Sequence, residues 1–223
     1  MTSPALDLAH TTVFLDFDGT ISTVDVGRHL LERLGAPAWR DIDEKYERGE
    51  IGSRECLIDE WDLIAAEEAT LRSVASEVGL DPMFGPLVRD LRAGGAEVTV
   101  VSDGFGFYVQ DACAPFDVPV LTNTVDFATG RLEFPHEDRC CPCTSCGVCK
   151  QAPIKDAHHR GRTTVLVGDG VSDRKAALLA DVVFAKDALA WWCSTAGVAF
   201  TEFRTLADVH DALVGELAPE AGV

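Results

Sequence analysis

Three short runs of β-branched and apolar residues each stop at a loop built from acids and glycine. They are TTVFLD at 11–16 before FDGT, AEVTVV at 96–101 before SDGFG, and TTVLV at 163–167 before GDGVSD. Runs without polar alternation belong to strands covered on both faces, as in a parallel sheet. A fourth run, Asp181 to Ala185, follows the helix-like stretch Arg174 to Ala180. Strands that alternate with helical segments predict βαβ units and restrict the chain to an α/β architecture.

From about Thr23 to Asp81 the pattern changes. Leu30, Leu31 and Leu34, then Leu57, Trp61 and Ile64, then Leu71, Val74 and Val78 recur at helical spacing. Gly35-Ala36-Pro37, Gly49 and Gly79-Leu80-Asp81-Pro82 punctuate about four helices. A helical block interrupting an α/β alternation predicts an inserted cap at 23–81, with 1–22 and 82–223 forming the core. Leu121 to Pro135 alternates around Ala128-Thr129-Gly130, which predicts a hairpin. Hairpin and cysteine-rich loop together occupy 124–150 within the core. Leu206 to Leu217 has the spacing of a further helix.

Charge narrows the partners. Lys plus Arg number 19 against 37 Asp plus Glu, a formal net charge of −18, and so acidic a surface repels nucleic acid and anionic bilayers. No run reaches the length of a membrane span, and Met1 to His10 has neither the basic nor the apolar stretch of a signal peptide. The expectation is a cytoplasmic protein, monomeric or homodimeric, whose partner is a small metabolite. Of 8 cysteines, Cys56, Cys113 and Cys193 are isolated in apolar or helical patterns and read as small buried hydrophobes. The other five, Cys140, Cys141, Cys143, Cys146 and Cys149, are clustered. Cys140, Cys143, Cys146 and Cys149 run at C-x₂-C steps that suit a structural Zn²⁺, with Cys141 and His136 as spare donors. An iron–sulfur cluster or reversibly oxidised thiols use similar spacing.

The strand ends carry the chemistry. Asp16 and Asp18, at i and i+2, point the same way into the crevice beyond the carboxyl edge of the sheet. A divalent metal would keep Asp16 ionised as a nucleophile, with Asp18 protonated as a general acid. Asp169 and Asp173 end the third strand, and four converging carboxylates without histidine favour Mg²⁺. Ser102, Asp103 and Gly104, with a helix expected directly after them, form an anion cradle, and phosphate is the natural anion beside a metal. A transferring phosphoryl group also needs a cation, and Lys150 is preferred to Lys155.

DFDGT, SDG, a lysine and GDGxSD, in this order, resemble the four motifs of the haloacid dehalogenase superfamily on its phosphatase branch. The resemblance implies an α/β fold, a Rossmann-like three-layer core with a parallel sheet plus an inserted helical cap. It also implies phosphomonoester hydrolysis, with Asp16 as nucleophile and Asp18 as general acid and base. Ser102 and Lys150 would bind phosphate, Asp16, Asp169 and the Asp18 carbonyl would hold Mg²⁺, and Asp173 would orient Lys150 or a metal-bound water. The cap position is similar to that of the phosphoserine phosphatase subgroup. Within it, GAPAW, IGSRE, TNTVDF and PHEDRCCPCTSCGVCK resemble the set of phosphatases acting on 2-hydroxy-3-keto-5-methylthiopentenyl-1-phosphate, phosphoethanolamine and phosphocholine. Cys140-Cys141 is an extra pair relative to that set. Asp25, where the chain leaves the core, is expected either to contact the substrate's polar end or to cap the helix Val26 to Leu34. A phosphomutase or a non-catalytic phosphate-binding module are the alternatives, and the second would be expected to have lost one of Asp16, Asp18, Lys150 or Asp169.

Overall fold

In the computed structural model, which describes residues 6–137 and 145–215, eight strands form two sheets. The strands are β1 (Thr11–Leu15), β2 (Glu97–Val101), β3 (Val120–Leu121), β4 (Thr124–Asp126), β5 (Arg131–Glu133), β6 (Thr163–Gly168), β7 (Val182–Ala185) and β8 (Thr201–Glu202). The larger sheet has the order β3-β2-β1-β6-β7-β8, and all its pairings are parallel. This is the α/β Rossmann-like core. All five residues of β1 are buried, because it lies centrally with helices over both faces.

The pleat of β1 divides the core in two. Val13 and Leu15 join Val98, Val100, Val165 and Val167 on one face, under α5 (Phe84–Ala93) and α10 (Leu206–Leu213). Phe14 and Leu166 face the other way, onto α7 (Gln151–His159), α8 (Arg174–Ala177) and α9 (Asp187–Ala196). Chain order reverses at β1: β2 and β3 lie to one side, β6 to β8 to the other, so a crevice opens beyond its carboxyl end.

Four helices, α1 (Val26–Leu34), α2 (Trp39–Glu47), α3 (Ser53–Trp61) and α4 (Glu68–Ala75), lie between β1 and α5. The chain leaves and returns through a two-stranded neck. Ser22 bridges Leu80, the Thr23 N–H donates to the Gly79 carbonyl at 2.9 Å, and the Asp81 N–H donates to the Ile21 carbonyl at 2.8 Å.

Several expectations shift. Leu121 belongs to the edge strand β3, not to the hairpin, which is β4 paired antiparallel with β5. The turn between β4 and β5 touches α3: the Trp61 indole N–H donates to the Gly130 carbonyl at 2.9 Å. A 3₁₀ turn at Val171–Asp173 precedes α8, which ends at Ala177 rather than Ala180. The helix after the second motif, α6 (Phe107–Cys113), starts three residues beyond Gly104, because Gly106 takes a positive φ of 82° before it. No described helix is long and apolar enough to cross a membrane.

Candidate active site

Asp16 directly follows β1, and its N–H donates to the Val167 carbonyl of β6 at 2.9 Å. Its Oδ1 accepts from the Lys150 ammonium at 2.5 Å, and the same ammonium donates to Asp173 Oδ1 at 2.7 Å. All three side chains are buried, at 7 %, 3 % and 0 % exposure. Burial pushes the Asp16 carboxyl up to about 7 and the Asp173 carboxylate adds to it, while Lys150 pulls the other way. Burial works against the Lys150 ammonium too, but the two carboxylates outweigh it and hold the proton.

Asp18 has a different environment. Its Oδ1 accepts the Val26 N–H at 3.0 Å at the start of α1, and its Oδ2 accepts the Tyr108 hydroxyl at 3.0 Å. Ser102 Oγ lies 3.4 Å from that second oxygen. Burial, then the Asp25 and Asp16 carboxylates, raise Asp18 well above the ordinary range. One strand end therefore presents a lysine-paired carboxylate and a proton-retaining one.

Asp16, Asp169 and Asp173 each bring a carboxylate oxygen to within 4.8 Å of the others, and this is the group among the described residues that could hold a metal. The Asp169 carboxyl is pushed up to about 9 by burial, then by Asp16 and Asp173. Three crowded oxygen donors with a surplus of negative charge fit a hard divalent cation such as Mg²⁺. Asp169 is aimed by Thr20, whose hydroxyl donates to its Oδ1 at 3.0 Å. Gly19 makes room for it: φ is +72°, and a Cβ there would lie 2.3 Å from Asp169 Oδ2. Asp173 is committed to Lys150 and to the N–H groups of Asp169 and Gly170, at 3.3 and 3.2 Å, so it braces the set from outside.

Ser102 is fully buried, and the Gly104 N–H donates to its Oγ at 3.1 Å. With α6 beginning only at Phe107, the expected helix N-terminus is replaced by loop backbone. Asp103 turns away. Its Oδ1 accepts the Val148 N–H at 2.8 Å and lies 3.3 Å from the Asn123 amide nitrogen. Its side chain therefore braces the loop that leads to Lys150, and only its backbone is left for an anion.

Beyond the carboxylates a cavity of about 160 Å³ opens against three of the cap helices, α1, α2 and α3. Asp25, Asp43 and Glu60 line its far wall with one cation, Arg28, which donates to Asp43 at 2.8 Å. Asp25 takes the capping role, its Oδ1 accepting the Arg28 N–H at 2.8 Å, and the residue also lines the cavity. Cys56 is buried as expected, but it too lines the cavity, as does Glu60, which burial pushes up to about 8.

Of the expected zinc set, Cys140 and Cys143 lie outside the described residues, as does the spare Cys141. Cys149 is buried just before Lys150, and its N–H donates to the His136 carbonyl at 3.0 Å. Cys146 Sγ lies 3.5 Å from the Lys175 ammonium. Sequence reasoning missed Thr20, Ser53, Tyr108, Asp43 and Glu60. Only Thr20, inside DFDGT, and Tyr108, four residues after Gly104, carried a positional signal.

A family profile described as haloacid dehalogenase-like hydrolase matches residues 13–178. A 2-hydroxy-3-keto-5-methylthiopentenyl-1-phosphate phosphatase of Brevibacillus brevis is 28 % identical over 204 residues, covering 88 % of this chain and 92 % of its own. One of the same name from an Exiguobacterium species is 28 % identical over 211 residues, covering 92 % and 98 %. The fold is similar to that of phosphoserine phosphatase from T. onnurineus, with a TM-score of 0.70 at 20 % identity over 95 % of this chain and 97 % of that one. A substrate-bound phosphoserine phosphatase complex gives a TM-score of 0.70 at 17 % identity, over 89 % and 96 %. With the profile spanning most of the chain, from β1 past the Asp169–Asp173 loop, the chain belongs to the haloacid dehalogenase-like hydrolase family.

Proposed function

We propose that the chain is a Mg²⁺-dependent phosphomonoesterase that works through an aspartyl-phosphate on Asp16, with 1–22 and 82–223 as catalytic core and 23–81 as cap. The observation that carries this reading is the contrast between two carboxylates two residues apart, Asp16 against Lys150 and Asp18 against Tyr108 and the α1 backbone. Mg²⁺ held by Asp16, Asp169 and the Asp18 carbonyl would neutralise charge on the phosphoryl oxygens.

An Asp16 carboxylate oxygen attacks phosphorus, and the bond from phosphorus to the ester oxygen breaks. Asp18 gives its proton to that leaving oxygen. Asp18, now a carboxylate, takes a proton from water as the water oxygen attacks phosphorus, and the acyl-phosphate bond breaks to restore Asp16. Lys150 holds Asp16 in place and adds positive charge beside the reacting group. Ser102 Oγ and the adjacent loop N–H groups complete the phosphate cradle.

A small cavity roofed by the cap suits small phosphate esters. The acidic far wall of Asp25, Asp43 and Glu60 favours a leaving group bearing hydroxyl or ammonium donors over a second anion. Among such esters we place 2-hydroxy-3-keto-5-methylthiopentenyl-1-phosphate first, after the name that the relatives bear, and phosphocholine-type esters second. Hydrolysis of p-nitrophenyl phosphate should require Mg²⁺ and stop with EDTA. Replacing Asp16 by Asn should leave under about 1 % of the rate, and greater residual activity overturns the assignment.

A further inference from the structure

The cap touches the loop that delivers Lys150 at one buried hydroxyl. Ser53, the first residue of α3, is 8 % exposed. Its Oγ accepts the Gly147 N–H at 3.2 Å. Asp103 Oδ1 in turn accepts the Val148 N–H at 2.8 Å, two residues before Lys150. Beside this bond the Arg54 N–H donates to the Ser145 carbonyl at 3.1 Å. The contact admits no side chain at 147, where a Cβ would lie 2.4 Å from Asp103 Oδ1.

From the other side, the Asn123 amide donates to the Asp103 and Gly104 carbonyls at 3.1 and 3.0 Å. Asp103 thus ties the second-strand loop with Ser102 to the 145–149 loop with Lys150, and Ser53 ties that second loop to the cap. Asp103 is half-buried, so a lost donor leaves a partly desolvated carboxylate short of a partner. Among the described residues Lys150 makes no hydrogen bond to the cap, and it inherits its position from a loop that a cap residue holds.

Resting on the phosphatase reading, we propose that Ser53 is a positioning residue that couples seating of the cap to placement of Lys150, through the backbone of Gly147 and Val148. Phosphate then meets a fully set lysine only when α3 is docked. The coupling ties the cradle for the transferred group to the element that encloses the leaving group.

The test uses inorganic phosphate, which has no leaving group and so cannot report cap contacts with substrate. In the full chain with Mg²⁺, Ser53→Ala should weaken competitive inhibition by inorganic phosphate by about 5–10-fold and lower kcat for p-nitrophenyl phosphate by a similar factor. Ile58→Ala, on the exposed side of the same helix, should change neither by more than about 2-fold. Asp103→Asn, which keeps an acceptor for Val148, should give an intermediate effect and serves if Ser53→Ala does not fold. A lower Tm with unchanged phosphate inhibition would make Ser53 a brace and overturn the proposal, as would a rise in KM alone. A wild-type chain that hydrolyses no phosphomonoester would instead overturn the phosphatase reading.

Discussion

The Lys150 ammonium stands 2.5 Å from Asp16 Oδ1, and both groups are almost wholly removed from water. Such a pair is sensitive to the loss of one partner, because the other charge stays buried. Lys150→Met should destabilise the metal-free chain by about 3–5 kcal/mol by stranding Asp16 and Asp173. Added Mg²⁺ should narrow that gap, and urea unfolding with and without the ion reads both effects. A loss that Mg²⁺ leaves untouched would detach the lysine from the carboxylate cluster.

Asp18→Asn removes the proton donor and leaves the nucleophile. Alkyl phosphates, whose leaving oxygens need protonation, should lose about 10²–10⁴-fold in kcat/KM, and p-nitrophenyl phosphate clearly less. Equal losses on both classes would take the acid role from Asp18.

Asp25→Ala should alter selectivity. Across a panel of small phosphate esters, kcat/KM should fall by about tenfold or more for esters with hydroxyl or ammonium groups on the leaving portion, and little for those without. A uniform loss, or none, would reduce Asp25 to the helix cap it also is.

Burial raises the Glu60 carboxyl from its ordinary 4.5 to about 8, with Asp43 and Asp25 adding to the effect. For an acid whose pKa rises on folding, its share of stability is intact below 4.5 and is lost as pH climbs through 8. Glu60→Gln should therefore be close to neutral at pH near 4.5 and gain about 1–3 kcal/mol over wild type by pH near 8.5, allowing for relaxation around the ionised group. Urea titrations at the two pH values decide it, and a gap that shrinks as pH rises contradicts the sign.

The strands that position the carboxylates were legible because each is a short run rich in β-branched and apolar residues that stops at a loop of acids and glycine. β1, β2, β6 and β7 lie within a residue of their expected bounds. β3 and β8 are two residues each, too short to carry a period, so Leu121 was assigned to the neighbouring alternation. Asp16, Asp18 and Asp169 could be found from their place after a strand. Ser53 and Glu60 could not, since both sit on α3 with ordinary helix-surface identities, and only packing turns them inward. Asp103 shows the limit within a motif: position named the residue, but the orientation of its carboxylate depended on Val148 and Asn123, distant in sequence.

The neck at Ser22 and Leu80 makes the helical insert interchangeable in principle. Where a chain departs and returns between hydrogen-bonded neighbours, the intervening segment sets no separation that the sheet must match. Lengthening a flexible closed segment costs slowly, about 0.6 kcal/mol per doubling. A lineage can therefore exchange this cassette for one of another size while β1 and its carboxylates keep their register, provided the replacement again supplies an acceptor to the Gly147 N–H. Substrate choice can diverge by replacing the cassette, and the demand for that acceptor limits which cassettes will serve.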